Sequence, residues 1–444
     1  MIDERDADSD VPQWTRSQAA AIERTDETVA PIIYPPDEEI APDLHSWDTW
    51  LLRSRDGSIA EIDGYRVVFS LTAPADVLPG KRHDVATIRY FYSADGRNWT
   101  CGGRAFEEGM AFGSRQWAGS ALYDDGELSL FYTAAGFRGE DDLTYTQRIA
   151  VGAGGSIASG VDGDGVSITG PFDHEILLDP DGERYEREDQ SRGMIYTFRD
   201  PWFFEDPQTG ETCLLFEANT PIPDPETEAR FDVDREALDC NGSVGLAVSP
   251  TGDPTTWEFE EPLLDAVGTN QELERPHVVV YEGSYYLFVS SHEHTFAPGL
   301  TGYDALYGFV ADSLRGDYTP LNGSGLVATN PASAPFQAYS WLAYPHDDEI
   351  LVTSFFNYYD LEGLSLDDVA FLPPEEQQRR FGGTLAPTLR LAVDGTETRI
   401  LGALEHGHLP VLGEALPPLL AGYRDDTGDE SGSLYGYGGR TGSR

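Results

Sequence analysis

One strand-forming pattern recurs five times along the chain, and few folds can accommodate it. In each copy a short apolar run follows an acidic or glycine-bearing turn. Ile62-Asp63-Gly64-Tyr65 precedes the run 67–71, and Asp124-Asp125-Gly126-Glu127 precedes 128–133. The turn 206–211 precedes 213–217, Glu282-Gly283 precedes 285–290, and Asp347-Asp348 precedes 350–355. The runs are short, β-branched or aromatic, and bounded by Gly, Asp, Asn or Pro, which reads as strand rather than helix. A strand also precedes each run (47–52, 117–123, 202–205, 277–281, 339–344), and another follows it (88–93, 148–153, 244–249, 307–311, 389–393). Five sheet modules in series predict an all-β chain arranged radially, which leaves only short, protected strand edges. The spacing of about 65 to 85 residues exceeds common repeat periods, so every module carries long loops. A five-bladed β-propeller with a central axial pocket accounts for this pattern best; two packed β-sandwiches are the structural competitor.

Three regions follow from the same reading. Residues 1–40 form an N-terminal extension with helical character over 17–27 that wraps the sheets. Residues 41–422 form the propeller domain, with surface excursions at 221–239 and 360–383. Residues 423–444, rich in Gly, Ser and Asp, form a disordered tail.

Charge narrows the classes of partner. Seventy-eight acidic residues face twenty-nine basic ones, a net charge of −49, and Lys81 is the single lysine. At ordinary ionic strength such a surface repels itself. At molar salt the Debye length shrinks to about 3 Å and that repulsion is nearly abolished. The composition therefore reads as halophilic, with a merely acidic mesophilic protein as the plainer alternative. Nucleic acid is excluded as a partner, because binding it depends on Lys and Arg neutralising phosphates. No apolar run approaches the ~20 residues of a membrane helix. Residues 1–10 are acidic and poor in apolar residues, unlike a signal peptide. Cys101, Cys213 and Cys240 are odd in number and lack metal-binding spacing, so they read as small buried apolar side chains with one pair at most.

In a propeller the first strand of each blade lines the axis. The residues expected at its entrance are Asp48, Trp117, Asp200, Glu274 and Tyr339, one from each module. Aromatic faces hold sugar rings, and paired carboxylates cleave glycosidic bonds. One carboxylate attacks the anomeric carbon, a protonated second gives its proton to the leaving oxygen, and a third steadies the developing charge. Singly each motif has a plainer reading. Asp48 within Trp47-Asp48-Thr49-Trp50 could be a turn residue, Arg199-Asp200-Pro201 a surface ion pair, and Glu272-Leu273-Glu274-Arg275 a solvated charged loop. His292-Glu293-His294 has no third ligand at metal-site spacing, and no metal is expected there.

At these residues the sequence resembles glycoside hydrolase family 68, the levansucrases and inulosucrases. The resemblance spans roughly residues 40–400. It is carried by Ser46-Trp47-Asp48-Thr49-Trp50, Gln116-Trp117-Ala118-Gly119-Ser120 and Phe198-Arg199-Asp200-Pro201. Phe216-Glu217-Ala218-Asn219-Thr220 and Asn270-Gln271-Glu272-Leu273-Glu274-Arg275-Pro276-His277 complete it. It implies a five-bladed propeller and a sucrose-dependent fructosyltransferase that makes fructan, releases glucose, and works by retention through a covalent fructosyl-enzyme. Asp48 then matches the nucleophile, Asp200 the transition-state stabiliser and Glu274 the general acid/base. Trp47, Trp117, Arg199, Glu272, Arg275, His292 and Tyr339 match positions that contact sugar. The resemblance further implies sucrose and fructan acceptors as partners, a monomer, no cofactor and an extracellular site of action.

Two departures stand out. Relatives carry Ser where this chain has Ala118, a hydroxyl that orients the nucleophile. Calcium-binding relatives carry Asp where this chain has Gln271, so no calcium is expected there. An invertase-type β-fructosidase is the enzymatic rival, although such enzymes carry Cys where Arg275 follows Glu274. A sugar-binding lectin is the rival without catalysis.

Overall fold

The acidic dipeptides fold as two-residue hairpin turns whose twist suits the flanking strands. Asp63-Gly64 has φ of 48° and 85°, Asp125-Gly126 49° and 90°, and Glu282-Gly283 50° and 86°, while Asp347 stands at 47°. Each turn is closed by a strand pair: Ile62 with Tyr65, Asp124 with Glu127, Tyr281 with Ser284 and His346 with Glu349. Asp and Gly sit here because a left-handed φ is tolerated by short polar side chains and costs glycine nothing.

The computed structural model describes residues 11–160, 164–223, 231, 233–361, 363–411, 414 and 416. The expected tail at 423–444 lies outside the described residues. The fold is all-β, with five consecutive antiparallel strand groups. Group one holds Leu44–Ser54, Tyr65–Pro74, Thr87–Ser93 and Thr100–Arg104; group two holds Arg115–Asp124, Glu127–Ala135, Gln147–Ser159 and Asp173–Leu178. Group three holds Phe198–Glu205, Thr212–Asn219, Gly242–Ser249 and Glu258–Phe259. Group four holds Glu274–Tyr281, Ser284–Ser291, Ala305–Ala311 and Thr319–Pro320; group five holds Ala338–His346, Glu349–Tyr358, Pro387–Asp394 and Glu397–His406.

The first strands of successive groups pack side by side, and group five returns to Leu44–Ser54, so the sheet arrangement is nearly closed. Between groups one and two the contact becomes a parallel pairing, from Leu52 with Ala121 to Ser54 with Tyr123. Segments that cross groups fasten the closure. After the last strand, the Leu409 N–H donates to the Gly96 carbonyl (2.8 Å) and Trp99 Nε1 to the Gly407 carbonyl (2.9 Å), tying the segment that follows group five to group one.

Residues 11–40 run along the outside of groups three to five. Gln13 bridges Asp265, Val29 bridges Thr329, and the Ile400 N–H donates to the Glu27 carbonyl. Trp14 is buried against Phe296, Tyr307 and Phe309. The helical character expected over 17–27 is confined to Arg16–Ala19, capped by Thr15; beyond it only isolated turns remain, while Arg24 and Glu27 bond to the sheets through the Asn330 carbonyl and the Ile400 N–H. The excursion at 360–383 carries two short helices, Leu366–Ala370 and Pro374–Arg379. Of the cysteines, Cys213 is buried as expected, but Cys101 is exposed on a short outer strand, and all three are free thiols. No helix among the described residues is long and apolar enough to cross a membrane.

Candidate active site

Every first strand breaks register at the same level. The shift lies between Trp47 and Trp50, Trp117 and Gly119, Arg199 and Trp202, Glu274 and His277, and Tyr339 and Leu342. A β-bulge of this kind re-aims a side chain. Four of the extra residues are left-handed: Asp48 (φ 46°), Asp200 (58°), Arg275 (50°) and Ser340 (58°); the fifth is Ala118, without positive φ. The bulges sort the site into two tiers. Asp48, Ala118, Asp200, Arg275 and Ser340 form one, and Trp47, Trp117, Arg199, Glu274 and Tyr339 the other.

This corrects the alignment expected from sequence. Glu274, Trp117 and Tyr339 stand one residue before the positions of Asp48 and Asp200, level with Trp47 and Arg199. An inserted residue leaves no mark on strand periodicity, so the offset was invisible in the runs themselves.

The tier of the bulges is cross-linked. The Arg275 N–H donates to Asp200 Oδ2 (3.1 Å), and its guanidinium donates to the Ser340 hydroxyl (2.8 Å) and the Thr49 carbonyl (2.8 Å). Arg275, expected to contact sugar, therefore spends these donors on groups one and five. The Ser340 hydroxyl is also close enough to favour the charged form of Asp48. A hydroxyl thus reaches Asp48 from group five, although group two offers only Ala118. Asp200 is buried, and its own N–H is held by the Thr133 hydroxyl (2.9 Å), which also donates to the Ala118 carbonyl (3.1 Å).

In the other tier Arg199 is the hub. It donates to Glu217 Oε2 (2.7 Å), Glu272 Oε1 (2.8 Å) and Glu274 Oε1 (2.9 Å). The Tyr339 hydroxyl donates to the other Glu274 oxygen. Oxygens of Asp200, Glu217 and Glu274 lie within 4.8 Å of one another, close enough for a cation, and Arg199 supplies positive charge at that point. Trp47 and Trp117 flank His83 edge-on, with centroids 5.3 and 6.2 Å from its ring, and Trp117 Nε1 donates to the His83 carbonyl (3.1 Å).

Burial sets the electrostatics. It raises the Asp48 carboxyl above its ordinary value, against Arg275 and Ser340, and pushes Asp200 up to about 7 against Arg199. Glu217 and Glu272 are raised for the same reason. Burial opposes the charge of Arg199, but Glu217, Glu274 and Glu272 hold it well above its usual range. His83 is driven far down by burial and by Arg82, so it is neutral.

His292 behaves oppositely. Its ring stacks on Tyr339 at 3.8 Å, and its Nδ1 donates to Asp304 (3.0 Å). Burial works against its charge, yet Asp304 and Glu274 bring it up to about 9 from an ordinary 6.5. The folded protein thus binds this proton more tightly than the unfolded chain does. The stability gained is complete below pH 6.5 and is lost as pH rises through 9. Melting temperatures of wild type and His292→Gln should differ most below pH 6.5 and converge steeply above 9; a difference independent of pH would refute the charged pair.

All ten residues singled out from sequence belong to these tiers or touch them. Glu217, Arg82, His83, Asp304 and Ser340 were missed. Glu217 stood inside a quoted motif without a role. Arg82 and His83 adjoin the single lysine in an otherwise acidic chain, a local basic cluster that could have marked them. Gln271 uses its amide both ways: Nε2 donates to the Ile195 carbonyl (2.7 Å), and Oε1 accepts from the Met194 N–H (3.2 Å).

Comparison with known proteins places these residues in a family. The Levansucrase/Invertase family model matches residues 3–410. A structure of inulosucrase from Halalkalicoccus jeotgali bound to kestose is 66% identical, with a TM-score of 0.90, covering 93% of this chain and 100% of that one. A levansucrase from Rahnella aquatilis is 35% identical over 426 residues, 89% of this chain and 96% of the relative. An extracellular sucrase from Zymomonas mobilis is 35% identical over 413 residues, 90% and 95% respectively. With motifs, sheet order and overall likeness in agreement, the chain belongs to the levansucrase/invertase family, glycoside hydrolase family 68.

Proposed function

We propose that this protein is a sucrose-dependent fructosyltransferase whose five strand groups are the blades of a propeller around an axial sugar pocket. The observation that carries the reading is the tiered convergence of Asp48, Asp200 and Glu274, each aimed from a different first strand by its bulge. In the first step the Asp48 carboxylate attacks C2 of the fructosyl unit. The bond from C2 to the glucosyl oxygen breaks, and Glu274 gives that oxygen its proton, releasing glucose. In the second step Glu274 takes a proton from an acceptor hydroxyl, whose oxygen attacks C2 and frees Asp48, so configuration is retained. Asp200 steadies the positive charge that builds on the sugar. Arg199 and Tyr339 hold Glu274 through both proton transfers, and Ser340 and Arg275 hold Asp48 and Asp200. Trp47, Trp117, Glu272 and His292 line the sugar sites.

Residues 41–422 act as the catalytic unit, with 1–40 as an extension, and the protein works as a monomer. The likeness to an extracellular sucrase supports action outside the cell, and the likeness to an inulosucrase supports β-2,1 linkages in the product. Incubation with sucrose tests the reading. Released glucose should exceed released fructose, and NMR should show β-2,1-linked fructosyl units. Equal release would make the protein a β-fructosidase, and binding of sucrose without consumption would make it a lectin.

A further inference from the structure

Arg53 stands on the same first strand as Asp48, five residues further along, and is only 7% exposed. Its guanidinium lies 3.6 Å over the ring of Trp202 and donates to the Phe203 carbonyl (2.5 Å), both in group three. Its charge is felt by His277 in group four. A side chain from group one thus reaches group three and lies near group four, five residues along its strand from Asp48.

Among the described residues this cation has no counter-charge. Of the five buried arginines, Arg66, Arg115 and Arg390 pair with Glu61, Glu140 and Glu349, and Arg275 lies among Asp48 and Asp200. No ion pair among the described residues includes Arg53. Arg55, two residues on, does pair with acids, Asp124 (2.8 Å) and Glu205 (3.1 Å). His277 is neutral, since its Nε2 accepts from the Ala343 N–H (2.8 Å) and its Nδ1 donates to the Arg275 carbonyl (2.8 Å). Burial alone brings Arg53 down to about 9. Two donors at this contact, Arg53 Nε and Trp202 Nε1, are buried without a protein acceptor, and Trp202 is 5% exposed.

We propose that Arg53 and Trp202 bind a small inorganic anion, a halide such as chloride, where groups one and three meet. Orphaned donors could be met by water, but water leaves the buried charge uncompensated, and an uncompensated buried charge is strongly destabilising. A spherical anion answers both needs. The anion would bind the folded state alone, so salt would stabilise this protein by mass action as well as by screening.

Crystals soaked in sodium bromide provide the direct test. An anomalous peak in contact with Arg53 Nε and Trp202 Nε1 is expected; water density there overturns the proposal. In solution, the protein should melt several degrees higher in sodium chloride than in sodium gluconate at equal sodium, because gluconate is too large for the site. The difference should vanish in Arg53→Met. Equal melting of wild type in the two salts overturns the proposal, and a bromide peak without chloride-specific stabilisation marks an adventitious ion only. Should Arg53→Met fail to fold, the bromide map and the wild-type melts decide between the outcomes.

Discussion

Asp48→Asn is expected to lower glucose release from sucrose by at least about 10⁴-fold, the scale seen when a covalent nucleophile is removed. An amide oxygen cannot form and release the fructosyl ester, and the other carboxylate of the tier, Asp200, is held on group three by the Arg275 N–H, while groups two and five offer Ala118 and Ser340. Asparagine is the informative replacement because Asp48 sits at φ 46°, a conformation Asn tolerates and Ala does not. Stability should survive. Burial raises the Asp48 carboxyl above 3.8, so the fold prefers the protonated form, and ionisation at higher pH weakens the fold. The neutral amide removes that penalty, and the variant should melt no lower than wild type at neutral pH. Retained turnover in a folded variant would sink the mechanism; a lower melting temperature would refute the electrostatic account of Asp48.

Transfer from molar salt to dilute buffer should lower the melting temperature by about 10 °C or more, reversibly, with activity lost in parallel. Pairing all twenty-nine basic residues with acids would still leave forty-nine carboxylates unmatched. In dilute buffer the Debye length reaches about 30 Å, so these charges act across the whole surface; at molar salt it is about 3 Å and each is felt only by its neighbours. Circular dichroism melts over a salt series check this. Sodium gluconate should restore the screening component, leaving only the chloride-specific part attributed to Arg53. Melting independent of salt would make the protein simply acidic.

Strand identity was readable because hairpin chemistry is local. The Asp-Gly and Glu-Gly dipeptides demand left-handed φ, and the alternating aromatic and β-branched runs beside them have no better use than a sheet. The ten candidate site residues could be gathered from sequence for a different reason: their motifs resemble those of a family, to which comparison assigns the chain. The expected helix at 17–27 shrank to Arg16–Ala19 because docking of that segment on groups three to five outweighs a weak intrinsic preference.

Residue order along the chain carried the five-fold strand pattern, the excess of acid and the motifs that hold the carboxylates. Closure of the ring decided which of those residues share a level. One inserted residue per first strand aims Asp48, Asp200, Arg275 and Ser340 together and sets Glu274 with Arg199 and Tyr339. Closure also brought the Ser340 hydroxyl near Asp48 from nearly three hundred residues away, and left Arg53 without a carboxylate among the described residues. Bulges and long-range pairings have no period, and the energy of a charge depends on what surrounds it in space.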